Sequence, residues 1–152
     1  MLRACLLAII AGFADTVGFM HYQAFAGLMT GNTIMIGIEV ATGKLSEALF
    51  HAAIIGIFLL GVIVSRVILR YGKPPWVALT AAGALLVVCG FLGNTAAALL
   101  LALAMGMQNS AANRFNGVAL NTVFITGNLQ KIGPGLPVQP LPPQQRQSNA
   151  AQ

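Results

Sequence analysis

Charge is nearly missing from this chain. Its 152 residues carry eight Lys and Arg and three Asp and Glu, 7% in all, where soluble domains carry about 25%. A water-facing surface cannot be built from so few charges on a chain that is 57% hydrophobic. The mean hydropathy of +0.82 agrees. Lipid is the natural solvent for most of such a sequence, and in lipid each backbone N–H and C=O must be paired inside the protein. The expected fold class is therefore all-α, a polytopic bundle of transmembrane helices.

The apolar segments can be read in order. Segment one runs from Leu2 to Met20, nineteen residues or roughly 28 Å, about one hydrocarbon thickness. Asp15 interrupts it and no convincing cleavage site follows, so it reads as a retained first helix rather than a signal peptide. Ala8 and Gly12 in this segment form a small-x-x-x-small face that would let another helix approach. Segment two, about residues 24–42, is long enough to span but carries Gly27, Thr30, Gly31, Asn32, Thr33, Gly37 and Glu39. It is either a broken helix within the bundle or a segment that re-enters without crossing. Segment three runs from Leu45 to Leu69 and is stopped by Lys73 and Pro74-Pro75. Segment four covers Trp76 to Leu92, segment five Thr95 to Ala112, and segment six starts near Val118. From Pro134 the chain turns Pro- and Gln-rich, so residues 134–152 read as a solvated, disordered tail.

Segment two contains a motif that returns. Thr30-Gly31-Asn32, followed by Ile36-Gly37, recurs as Thr126-Gly127-Asn128 followed by Ile132-Gly133, ninety-six residues on. An offset of ninety-four aligns segment one with segment five: Ala8 with Ala102, Gly12 with Gly106, Asp15 with Asn109, and Thr16 with Ser110. The expected organisation is one membrane domain over 1–133, with repeat one at about 4–92 and a partial repeat two at about 95–133. Internal duplication is common among transporter folds. If segment two only re-enters, the copies are inverted, and Arg3, Arg66, Arg70, Lys73 and Arg114 can share one side, with Lys44 on the other. The positive-inside rule favours that arrangement.

The net charge of +5 thus reads as topology. No dense basic cluster with interleaved aromatics points to nucleic acid. Cys5 and Cys89 lie inside apolar runs and read as small buried residues. No nucleophile triad, metal-ligand cluster or phosphate loop is present, so no enzyme activity and no cofactor or metal is expected. The candidate site for a substrate or ion is Asp15, Thr30, Gly31, Asn32, Asn109, Thr126, Gly127 and Asn128. Asp15 is either a coupling carboxylate or a structural hydrogen-bond partner of the neighbouring Asn or Thr. The Thr-Gly-Asn copies could interrupt helices and expose backbone groups to a ligand, or act as polar glue between helices. His21, Glu39 and His51 read as interface residues without a special role. Expected partners are the bilayer, a small solute or ion, and a second copy in a homo-oligomer.

Four stretches together resemble a known pattern: Ala11-Gly12-Phe13-Ala14-Asp15, Phe25-Ala26-Gly27-Leu28-Met29-Thr30-Gly31-Asn32-Thr33, Met105-Gly106-Met107-Gln108-Asn109-Ser110-Ala111, and Thr126-Gly127-Asn128. They resemble the YoaK-like bacterial inner-membrane proteins, the family called domain of unknown function 1275, over about residues 4–133. The resemblance implies a multi-pass protein of the bacterial inner membrane and supplies no substrate. Members of that family continue with apolar helices after the second Thr-Gly-Asn, whereas this chain passes into its Pro/Gln tail after Gly133. The expectation is a truncated or frame-shifted relative. Two functions fit: a secondary transporter or permease-like protein, or a membrane scaffold or assembly partner that transports nothing.

Overall fold

The computed structural model describes residues 2–93 and 95–112, and the backbone of 114–115 and 118–119. Among the described residues the architecture is helical, with five helices and one short strand pair: α1 Leu2–Tyr22, α2 Met29–Ala41, α3 Leu45–Arg70, α4 Pro75–Cys89 and α5 Thr95–Ala111. Four of the expected segments match α1, α3, α4 and α5 within a few residues. Segment two does not. Residues 23–28 are non-helical, and α2 has only 13 residues, roughly 20 Å against a hydrocarbon core of about 30 Å. Of segment six only the first two residues are described, and the rest lies outside the described residues. Val118–Ala119 pairs antiparallel with Arg114–Phe115 instead of opening a helix at Val118. The second Thr-Gly-Asn copy and the Pro/Gln stretch lie outside the described residues.

Helix ends follow local chemistry. Gly43 and Gly72 adopt φ of +76° and +71°, the left-handed conformation that closes a helix in a Schellman motif. Lys44 N–H accordingly donates back to Glu39 O at 2.8 Å, and Lys73 N–H to Ile68 O at 3.4 Å. Pro75 opens α4, where its missing N–H costs nothing. No side chain of its own first turn caps α2.

The packing centre is α3 against α5, parallel to each other. A Cβ on Gly61 would strike the Leu103 carbonyl, and one on Gly106 would strike that of Phe58. The two backbones therefore touch, as small residues allow in lipid. Further along, Arg66 Nε donates to Ser110 Oγ at 3.3 Å, which fixes the parallel sense. Helix α1 runs the other way beside α5. Its end meets the start of α5, where Tyr22 Oη donates to Leu92 O at 3.5 Å. Its beginning meets the end of α5, where Gln108 Nε2 donates to Leu7 O at 2.9 Å. The α1 face turned inward is Ala11, Ala14 and Gly18. The expected Ala8–Gly12 face is exposed, and nothing approaches Gly12.

Large apolar side chains cover the outside. Phe13, Met20, Leu45, Leu49, Trp76, Val87 and Phe91 are each more than 60% exposed. Soluble monomers rarely expose this many large apolar side chains. The Cys5–Tyr22 stretch of α1 and all of α3 are long and apolar enough to cross a membrane. These features point to a membrane protein.

Candidate functional site

The non-helical residues 23–28 are the centre of a polar assembly. At their start, Gln23 takes φ +56° and its N–H closes the end of α1 on Phe19 O at 3.0 Å. At their end, Asp15 Oδ1 accepts from Gly27 N–H at 2.6 Å and from Leu28 N–H at 3.2 Å. Asp15 stands eight residues before Gln23, roughly 12 Å back along the α1 axis. The chain therefore leaves α1, returns alongside it to the depth of Asp15, and starts α2 there. The carboxylate supplies the cap α2 lacks and sits where the helix dipole is positive.

The Thr-Gly-Asn motif occupies the first turn of α2 and holds the returning segment down. Asn32 is fully buried. Its Oδ1 accepts from Phe25 N–H at 2.9 Å, and its Nδ2 donates to Phe25 O at 2.8 Å. Gly31 makes room for the Phe25 ring, which a Cβ would meet at 2.6 Å. That ring stacks on Phe19 with centroids 4.8 Å apart. Thr33 Oγ1 donates to Met29 O at 3.0 Å, and Thr30 is exposed. The motif thus begins a helix, and the break expected at it lies just ahead.

Above this point sits a pair that sequence reading assigned to an interface. Glu39 and His51 are 4% and 2% exposed. His51 Nδ1 lies 3.0 Å from Glu39 Oε2 and 3.1 Å from Glu47 O, and Nε2 lies 2.9 Å from Gln23 O. The two are a buried constellation that ties α1, α2 and α3 together. The signal was present in the spacing. Glu39 follows Asn32 by seven residues, on one helical face, and these are the buried residues of α2. His51 follows Ala48 in the buried stripe of α3 that continues through Ile54, Phe58, Gly61 and Ser65. The third expected interface residue, His21, is exposed.

Of the sequence candidates, Asp15, Gly31 and Asn32 are brought together around residues 25–28. Asn109 is not among them. It follows Gln108, which bonds to Leu7, so it lies roughly 12 Å along the α1 axis from Asp15. Its Oδ1 is buried and has no hydrogen-bond partner among the described residues, a condition shared by Ser65 Oγ. Thr126, Gly127 and Asn128 fall outside the described residues. Among those described, no group of three His, Cys, Asp or Glu side chains could hold a metal ion.

A family model described as "Protein of unknown function (DUF1275)" matches residues 3–145. The chain belongs to the DUF1275 family. The match spans both Thr-Gly-Asn copies and reaches twelve residues past Gly133. Comparisons with curated proteins and with solved structures return no match. For this DUF1275 protein, then, family membership supplies no activity.

Proposed function

We propose that this DUF1275 protein is a multi-pass protein of the bacterial inner membrane that acts as a permease for a small solute or ion. Its distinctive element is a re-entrant half-helix, α2, between α1 and α3. The observation that carries this reading is helix direction. Helix α3 runs parallel to α5, and α5 runs antiparallel to α1. So α1 and α3 are antiparallel, and the chain between them makes no net crossing. Asp15 meanwhile anchors the start of α2 about 12 Å below the end of α1. A half-helix whose N-terminus lies within the bilayer is the device by which transporters expose helix dipoles and unpaired backbone to a ligand.

The same directions support an inverted repeat. Helices α1 and α5, which share the Gly-x-x-Asp/Asn pattern, run in opposite senses. Asp15 takes the backbone N–H groups twelve and thirteen residues after it. The orphaned Oδ1 of Asn109 is the group that would do likewise for the second copy.

A scaffold role draws on one specific observation: Asp15 and Asn32 both bond to the protein's own backbone. Flux separates the two readings. The chain is reconstituted in proteoliposomes and assayed for solute and proton flux beside Asp15→Asn, which keeps an acceptor at Oδ1. Flux by the parent and its loss in a folded Asp15→Asn variant is the expected outcome. A parent with no flux, and a variant whose only defect is stability, would establish the scaffold.

A further inference from the structure

We infer that Glu39 and His51 form a proton-binding site that latches the returning segment onto α3. The ligand is the proton itself, and what surrounds the imidazole calls for it. Its two ring nitrogens face oxygen atoms only: Glu39 Oε2 at 3.0 Å and Glu47 O at 3.1 Å on Nδ1, and Gln23 O at 2.9 Å on Nε2. The two backbone carbonyls can only accept. A neutral imidazole has one N–H, so it cannot donate from both nitrogens. The geometry therefore calls for two protons in the assembly. One sits on Nε2 and goes to Gln23 O. The other lies between Nδ1 and Oε2, on whichever atom holds it.

The groups around the pair are few. Glu47 turns its carboxylate outward to Lys44 at 3.4 Å, and both side chains are more than half exposed. His21 is exposed on α1, and Phe50 offers only a ring edge, with centroids 5.6 Å apart. Among the described residues no fixed cation touches the Glu39 carboxylate; its partner is the imidazole.

Removing one proton has a directed result. With Nδ1 bare, a lone pair would face a carboxylate and a carbonyl. With Nε2 bare, it would face one carbonyl. The remaining proton therefore stays between Nδ1 and Oε2, and the proton lost is the one on Nε2. The bond to Gln23 O breaks, while Glu39 and His51 stay joined. Gln23 is the point where the chain turns back from α1, in a left-handed conformation that a non-glycine residue adopts at a cost. Loss of the Nε2 proton thus removes the tie of Gln23 to α3 and leaves the upper end of residues 23–28 held only on α1, through Phe19 O and Gly18 O, while the lower end stays on Asp15. Coupling of this latch to flux rests on the permease reading; the proton site itself does not.

The test uses the full chain in lipid nanodiscs, with ¹⁵N-histidine and His21→Gln so that His51 reports alone. The expected result is two protonated-type ring signals while the pair holds both protons, and loss of the signal at Nε2, not of the one shared with Glu39, when pH is raised to withdraw a proton. Amide exchange at residues 23–28, corrected for its intrinsic pH dependence, should accelerate at least several-fold along the same curve. Glu39→Gln should displace or abolish that curve, because an amide can donate to Nδ1 and leave Nε2–H in place. Glu47→Gln, which keeps its backbone carbonyl, should leave it nearly unchanged. One protonation state throughout, a proton loss without change in exchange, or equal effects of the two variants would each overturn the inference. Proton loss with loosening but no flux from the parent would retain the latch and remove the permease.

Discussion

At the residue scale, Asn32 and Gly31 show how a polar motif can be fully used inside an apolar fold. The Asn32 amide matches both hydrogen-bonding groups of Phe25, at 2.9 and 2.8 Å. Asn32→Ala leaves that N–H and C=O unpaired in a buried site, at about 1–3 kcal/mol for each group left unsatisfied. Asn32→Asp keeps the acceptor but sets a carboxylate oxygen against Phe25 O at a fully buried position, so it should cost at least as much as Asn32→Ala. Gly31→Ala forces the Phe25 ring off its place and should cost about 1–3 kcal/mol. Unfolding equilibria in bicelles check all three, and a neutral Asn32→Ala would show that the Phe25 contacts contribute nothing. Sequence reading found Asp15, Gly31 and Asn32 because polar residues in apolar runs stand out. It could not tell that their partners are backbone groups, since every residue has those and only folding decides which come near. Glu39 and His51 were visible as residues but not as a pair. Twelve positions and a helix turn separate them, and each alone is common near a membrane surface.

At the element scale, α2 is short because its beginning is fixed from outside. Asp15 reaches it from α1, and the Gly43 Schellman turn ends it after thirteen residues. The α3–α5 contact is set by Gly61 and Gly106, and each admits no Cβ without moving the facing helix backbone. Gly61→Ala or Gly106→Ala should therefore destabilise by about 1–3 kcal/mol, as overpacking does. Gly12→Ala, in open space, should be close to neutral or slightly stabilising through helix propensity. Parallel unfolding measurements on the three variants check this ranking. A Gly12 variant as damaging as the other two would contradict the packing described. Segment lengths made α1, α3, α4 and α5 legible to within a few residues. The small-x-x-x-small spacing misled at Ala8 and Gly12, because such spacing is frequent in Ala-rich helices and says nothing of which face a neighbour occupies. The glycine that does make a close contact, Gly106, differs from Gly12 only in what packs beside it.

At the scale of the whole molecule, the account turns on whether the chain crosses the membrane between α1 and α3. Composition made the lipid environment legible, and the apolar exposed surface agrees with it. Hydropathy does not distinguish a helix that spans from one that turns back, so in the sequence only the charge distribution leans toward turning back. The antiparallel sense of α1 and α5, seen in the bonds Tyr22–Leu92 and Gln108–Leu7, speaks for turning back. It also gathers Arg66, Arg70 and Lys73 on the side of the N-terminus, as the charge distribution favours. The direct measurement is side-specific labelling of a chain with Cys5→Ser and Cys89→Ser. One cysteine is placed ahead of Leu2 and, in separate preparations, at Lys44 or at Lys73, and each is challenged with a membrane-impermeant maleimide in sealed inner-membrane vesicles. The account predicts that Lys44→Cys reacts from the side opposite the N-terminus and Lys73→Cys from the same side. The N-terminus and position 44 reacting from one side, with position 73 on the other, would mean that α2 crosses, and the half-helix account would be wrong.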